Sequence, residues 1–199
     1  MVKRGWIDYL IYAIWAFIFF VGIYDLFHIP ARSIFWFGEL ILALFIYYKL
    51  KVPNLVYLGI MLVFLANIFG ELFFGLFYIM PNFDKWIHLL SPMVACTLFY
   101  FLFKKKIKDK KMLIFFSVTL ILAWSVAWEI IEYFSDQYFH TLLVGVHLTG
   151  LENFNLDAQY MGPLKDTIYD MFYGLIGSVV WAAIALFLVR KKIPSNNKK

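Results

Sequence analysis

The sequence predicts an all-α membrane protein, a polytopic bundle of about six transmembrane helices, and three observations predict it. Of 199 residues, 63% are hydrophobic, 22% aromatic and only 16% charged, with a mean hydropathy of +0.77. A soluble chain of that length has too small an interior for so much apolar surface, whereas a bilayer accepts it. Six apolar stretches each reach the roughly 20 residues that a helix needs to cross about 30 Å of hydrocarbon. The basic residues gather at alternate ends of those stretches.

The first span, 6–28, follows Lys3 and Arg4. Its apolar run is longer than a signal peptide's and no small-x-small cleavage site follows, so it reads as a retained helix. The second, 31–50, carries Trp36 near one end and Tyr47, Tyr48 and Lys49 near the other. The third, 54–79, holds Asn67, Glu71 and Gly75. The fourth, 83–103, starts beside Trp86 and runs into a lysine-rich turn. The fifth, 112–134, carries Glu129 and Glu132, and the sixth, 165–189, carries Asp166 and Asp170. Residues 135–164 are left as one long connection with apolar clusters, and a loop of that length is usually functional or disordered. It is expected to fold back over the helices as a short interfacial helix or lid. With no internal repeat and no linker, residues 1–199 read as a single integral membrane domain, ending in a frayed tail at 195–199.

Positive-inside counting orients the bundle. Fifteen of the 18 basic residues fall on one side: Lys3, Arg4, Lys49, Lys51, the lysines of 104–111, Arg190, Lys191, Lys192, Lys198 and Lys199. Arg32, Lys85 and Lys165 fall on the other. Both termini are therefore expected in the cytoplasm, with the 135–164 loop outside. The net charge of +5 lies at helix ends, where lipid headgroups explain it better than nucleic acid. Trp36 and Trp86 near outer ends, and Trp6, Tyr47 and Tyr48 near inner ends, suit interfacial belts. The single cysteine, Cys96, rules out an intramolecular disulfide and a Cys-based metal cluster. Lysine abundance and a retained first helix suit a prokaryotic plasma membrane.

On this topology ten of the 13 acids lie in the outer half or outer loop, facing three bases. Their spacing makes stripes. Asp84 and His88 share a helix face. Glu129, Glu132 and Asp136 form a second stripe that Ser125 extends inward. Asp166 and Asp170 form a third that continues into Gly174 and Gly177, small residues that let a neighbour approach closely. Asn67, Glu71 and Gly75 make a fourth. Charged side chains in membrane helices turn toward the bundle interior, because lipid exposure near the centre costs at least ~2.5–3.5 kcal/mol each. The four stripes are expected to meet in one site.

Blander readings stand beside this one. Asp84 and Asp166 sit where an acid caps a helix start. His88 taken alone is a buried hydrogen-bonded histidine, Asp136 a solvated acid, and Asp25 and His28 interfacial groups. Trp124 and Trp128 read as lipid-facing or packing side chains. Capping accounts for neither Glu129 and Glu132, near the unfavourable end of their helix dipole, nor Asp170, one turn inside its own. The full set of Asp84, His88, Glu129, Glu132, Asp166 and Asp170 resembles a carboxylate-bundle metal site. It suits a divalent ion such as Mg²⁺, Mn²⁺ or Ca²⁺, and the histidine leaves Zn²⁺ or iron open. Asn67 and Glu71 would support the ligands from behind, and His140 and His147 would join them if the loop folds inward.

At the same residues, FDKWIHLLSP (83–92), AWEIIEYFSD (127–136) and YMGPLKDTIYDMFYGLIGS (160–178), the chain resembles the YjdF-like family of small predicted membrane proteins, distantly similar to VanZ-like proteins. The resemblance covers roughly residues 54–185, with Asp-Thr-Ile-Tyr-Asp-Met as its most specific element. It implies that Asp84, His88, Glu129, Glu132, Asp166 and Asp170 belong to the family's polar set, and it names no reaction. Family members often carry a Gly-Asp pair just before that element. This chain has Pro163, Leu164 and Lys165 there instead, so that acid's role is absent or moved to Asp157.

The first reading is a metal-dependent enzyme acting at the outer leaflet on a lipid or lipid-linked substrate, with Glu132 or Asp136 as general base. No phosphate-binding loop, Gly-x-Ser-x-Gly or His-Glu-x-x-His accompanies it. The alternatives are a proton- or cation-coupled transporter, in which carboxylates share protons, and a non-catalytic metal-stabilised scaffold.

Overall fold

The computed structural model describes residues 5–50, 52–139, 145–147 and 159–191. They form α1 (Trp6–His28), α2 (Pro30–Phe45), α3 (Asn54–Ile68), the short α4 (Leu76–Ile79), α5 (Phe83–Phe103), α6 (Lys110–Phe139) and α7 (Pro163–Lys191). A two-stranded antiparallel ribbon pairs β1 (Val146–His147) with β2 (Gln159–Met161). Six of the helical segments are long and apolar enough to cross a membrane.

The surface is inverted relative to a soluble protein. Phe20, Phe27, Leu55, Phe115 and Phe187 are exposed, while Asp25, Lys85, Asp166 and Asp170 are buried. Lipid solvates the first group and would penalise the second, so the charges turn inward and must find one another.

Several boundaries differ from the sequence expectation, each for a local reason. Pro30 occupies the first turn of α2, where a missing N–H costs nothing, so the helix begins before residue 31. The third span is not continuous to residue 79. α3 loosens into a π turn at Phe69–Phe73, and Gly75, at a φ of 57°, takes the left-handed conformation that ends it and starts α4. α6 runs past residue 134 to Phe139, and α7 begins at Pro163, so both take residues from the predicted loop. The expected lid or interfacial helix lies mostly outside the described residues, as does His140.

Contacts between helices give the arrangement. Tyr12 meets Tyr47 and Asp25 meets Trp36, so α1 and α2 run antiparallel. His88 faces Glu129 and Phe103 packs on Phe116, which sets α5 antiparallel to α6. Lys85 reaches Asp166, and Trp181 Nε1 donates to Thr97 Oγ1 at 2.8 Å, so α5 and α7 run parallel. The helices form two groups, α1–α3 and α5–α7, joined along α3 and α5.

The two groups are built differently. The α1–α3 group holds the apolar core of Ile11, Ile18, Ala43, Tyr57, Met61 and Ile68. The α5–α7 group buries Leu113, Ile114 and Ile121 of α6 together with small and polar residues: Cys96, Ser117, Gly174, Gly177 and Ser178. There the backbones come close. A Cβ added at Gly174 would lie 3.3 Å from Ser125 Oγ, and one at Gly177 would collide with the Leu89 carbonyl oxygen. Pro92, buried inside α5, has no N–H to give the carbonyl one turn earlier, and the glycine face of α7 lies against this stretch.

Trp6, Tyr48 and Trp86 are exposed near helix ends, as belts require. Trp36 departs from that expectation: it is only 5% exposed, because its ring nitrogen serves a buried acid.

Candidate functional site

The site end of the bundle collects the starts of α5 and α7 and the last turns of α6. α5 opens with Phe-Asp-Lys-Trp-Ile-His, which puts Asp84, Lys85 and His88 on one wedge of its first turns. α7 presents Asp166 and Asp170 one turn apart, on the face that continues into Gly174 and Gly177. Because those glycines bring α5 close, Lys85 crosses the gap. Its Nζ donates to Asp170 Oδ1 at 2.6 Å, to Asp84 Oδ2 at 3.0 Å, and to Asp166 Oδ1. Lys85 is 2% exposed, so its charge is held entirely by protein.

Two residues frame this ion cluster. Asp166 also accepts the Gly145 backbone N–H through Oδ2 at 2.8 Å, tying the segment before β1 to α7. His88 Nε2 lies 3.5 Å from Asp84 Oδ1 and 4.0 Å from Asp170 Oδ1, while its Nδ1 lies 3.9 Å from Glu129 Oε1. Glu129 is buried, with Thr167 of α7 within hydrogen-bonding reach.

Of the six predicted ligands, three form a group that one ion can bridge: Asp84, His88 and Asp170 offer atoms within 4.8 Å of one another. The others are near but otherwise engaged. Asp166 serves Lys85 and Gly145. Glu129 stands behind His88. Glu132 accepts Trp128 Nε1 at 2.5 Å, so that tryptophan is not simply lipid-facing. Asp136, half-buried, lies outside the bridging group. His147 belongs to β1, and its side chain is not among those described.

The sequence reading missed Lys85. Counted as one of three bases on its side of the membrane and carried within the FDKWIHLLSP motif without a site role, it proves to be the hub of the cluster. The signal was available: one lysine inside a span, flanked by Asp84 and His88, needs an acidic partner wherever it is buried.

The fourth stripe does not join this site. Glu71, turned by the π turn of α3, accepts Tyr78 O–H at 2.5 Å and Arg32 Nη1 at 3.2 Å. Burial, with Glu71 beside it, pushes the Tyr78 hydroxyl well above its usual range, so it stays a donor. Arg32 grips Asp25 in two-pronged fashion, Nε to Oδ2 at 2.6 Å and Nη2 to Oδ1 at 2.8 Å, and Trp36 Nε1 adds a third bond at 2.6 Å. Asp25, expected at the interface, is 0% exposed. Arg32 recruits Asp25 of α1 and Glu71 of the π turn after α3 to a second cluster, leaving Asn67 and Glu71 with no place behind the first. Trp36→Phe is expected to lower stability by about 1.5–3 kcal/mol, the value of a hydrogen bond to a charged group. Thermal unfolding in detergent micelles measures it, and the loss should shrink in an Asp25→Asn background.

Neither the curated proteins nor the solved structures contain a match to this chain. A family model does match, across nearly its whole length and over all three of the motifs that resemble YjdF-like proteins. Residues 6–192 fit the predicted membrane protein family DUF2238, and the chain belongs to that family.

Proposed function

We propose that the α5–α7 cluster is a divalent-cation site, and that the protein is a metal-dependent membrane enzyme acting on a lipid or lipid-linked substrate at the outer face of the plasma membrane. The observation that carries this reading is the bridging group of Asp84, His88 and Asp170. Charge supports it. Five carboxylates, Asp84, Glu129, Glu132, Asp166 and Asp170, surround one ammonium, and a second cation would offset much of the excess. Two oxygens and an imidazole suit Mg²⁺ or Mn²⁺ and admit Zn²⁺.

Asp84, His88 and Asp170 would hold the ion, which supplies Lewis acidity toward a phosphoryl or carbonyl oxygen and a more acidic bound water. Lys85 fixes Asp166 and Asp170, which holds one of the three ligands in place. Glu129, beside His88, and Glu132, one turn further along α6, lie outside both the bridging group and the Lys85 ion pairs, and either can take a proton as general base. The outer placement rests on the positive-inside count, which puts the lysine-rich turn after α5 at the opposite side.

The test is elemental analysis of protein purified without chelators. Wild type should retain a stoichiometric divalent ion, and His88→Ala and Asp170→Asn should each lose it. Lipid extract from the host should be turned over by wild type, and not by Glu132→Gln with its metal retained. Metal-free wild type whose unfolding temperature is unmoved by added Mg²⁺, Mn²⁺ or Zn²⁺ would overturn the site. Ion flux through proteoliposomes driven by a pH gradient, without lipid turnover, would replace the enzyme by a transporter.

A further inference from the structure

The α1–α3 group contains a carboxyl that neither cluster uses. Glu39 lies near the middle of the second span, a turn beyond Trp36, with Asn67 of α3 within hydrogen-bonding reach. Its Oε2 is buried without a hydrogen-bond partner, the only such side-chain atom among the described residues. Elsewhere the chain satisfies its buried charges with care: Asp25 receives three donors and Lys85 donates to three acids. An ionised carboxylate with a bare oxygen inside hydrocarbon is among the costliest groups a membrane protein can bury. A proton on that oxygen removes most of the cost.

No neighbour can neutralise Glu39 in place of a proton. α1 has no titratable side chain between Tyr12 and Tyr24, α2 none between Arg32 and Tyr47 apart from Glu39 itself, and α3 none between Tyr57 and Glu71. The next charges along α2 and beyond α3 are Arg32, committed to Asp25 and Glu71, and Glu71 itself, one turn beyond Asn67. On one side polar groups continue from Glu39 through Asn67, its hydrogen-bonding partner, to Glu71 and Tyr78. Toward the other end the next are the tyrosines at 47 and 57, whose hydroxyls are committed to Asp8 and to the Ala43 carbonyl.

We propose that Glu39 is a proton-binding site inside the bilayer, separate from the α5–α7 cluster and loaded from the end of the bundle that carries Glu71 and Tyr78. Such a site gives the protein a way to register or use protons independently of any metal.

Dicyclohexylcarbodiimide, an apolar reagent, tests this on the intact protein. It adds across the O–H of a protonated carboxylic acid and rearranges to a stable N-acylurea that peptide mass spectrometry locates. Glu39 should be labelled in wild type, labelling should be lost as pH rises, and a water-soluble carbodiimide should leave it unmodified. Asn67→Leu and Glu71→Gln should slow labelling changes after a pH jump. In infrared difference spectra, Glu39→Gln should lack a carbonyl band of a neutral acid that wild type shows. Glu39 unlabelled while other carboxyls react, or labelled equally at all pH, would overturn the proposal. So would suppression of labelling by Na⁺ at constant pH, which would make Glu39 a cation ligand.

Discussion

Lys85→Met is expected to destabilise the protein by about 3–5 kcal/mol, the cost of removing one partner from a buried ionic network. Methionine keeps most of the apolar stem, so the loss measures charge rather than volume. Without the ammonium, Asp166 and Asp170, neighbours on one buried face of α7, lose their shared counter-charge, and α5 loses its ionic tie to α7. Detergent-solubilised Lys85→Met should unfold at a markedly lower temperature and yield less monodisperse protein. Lys85→Met with Asp170→Asn should recover part of the loss, since the two positions share one network and their effects do not add. Lys85→Arg should fall between, because a planar guanidinium cannot place one nitrogen among three aspartates as an ammonium does. The same variant bears on the proposed metal. With Asp84, Asp166 and Asp170 released, Mn²⁺ should raise the unfolding temperature of Lys85→Met more than that of wild type. An unchanged unfolding temperature for Lys85→Met would show that the cluster does not hold these helices together.

The part of the fold that depends on length and hydropathy was legible: each of the six predicted spans has a helix in the structure, because the cost of exposing apolar surface is local and additive. Helix ends were less so, since Pro30, Gly75 and Pro163 act through backbone geometry that hydropathy does not register. The site was legible along each helix and ambiguous between helices. Spacing put Asp84 with His88, and Asp166 with Asp170, and the structure keeps both pairs. Which stripe meets which depends on rotation and on the few cations available. Arg32 draws Glu71 and Asp25 to α2, and Lys85 draws the two aspartates of α7 to α5, beside Asp84. Three cations set against ten acids were the decisive quantity, and leaving each cation unassigned to particular acids hid the division into two clusters.

Gly177→Ala is expected to cost about 3 kcal/mol or more, beyond the usual range for an added methyl in a packed interior, because the obstacle is backbone. A Cβ there runs into the Leu89 carbonyl, and neither that oxygen nor α7's own main chain can move without shifting a whole helix. Gly174→Ala makes the control: its Cβ meets the Ser125 hydroxyl at 3.3 Å, a side chain able to rotate, so its cost should be well under half as large. The difference reaches the site. Gly177 lies on the face of α7 that carries Asp170, and pushing α5 outward there lengthens the span Lys85 must bridge to Asp166 and Asp170. Gly177→Ala should therefore be less than additive with Lys85→Met, the network being already broken, whereas Gly174→Ala should add to it in full. Full additivity of Gly177→Ala with Lys85→Met, measured by unfolding in the same detergent, would separate helix packing from ion pairing. In that case the glycine face would be a packing device alone, and the closeness of Lys85 to its aspartates would need another cause.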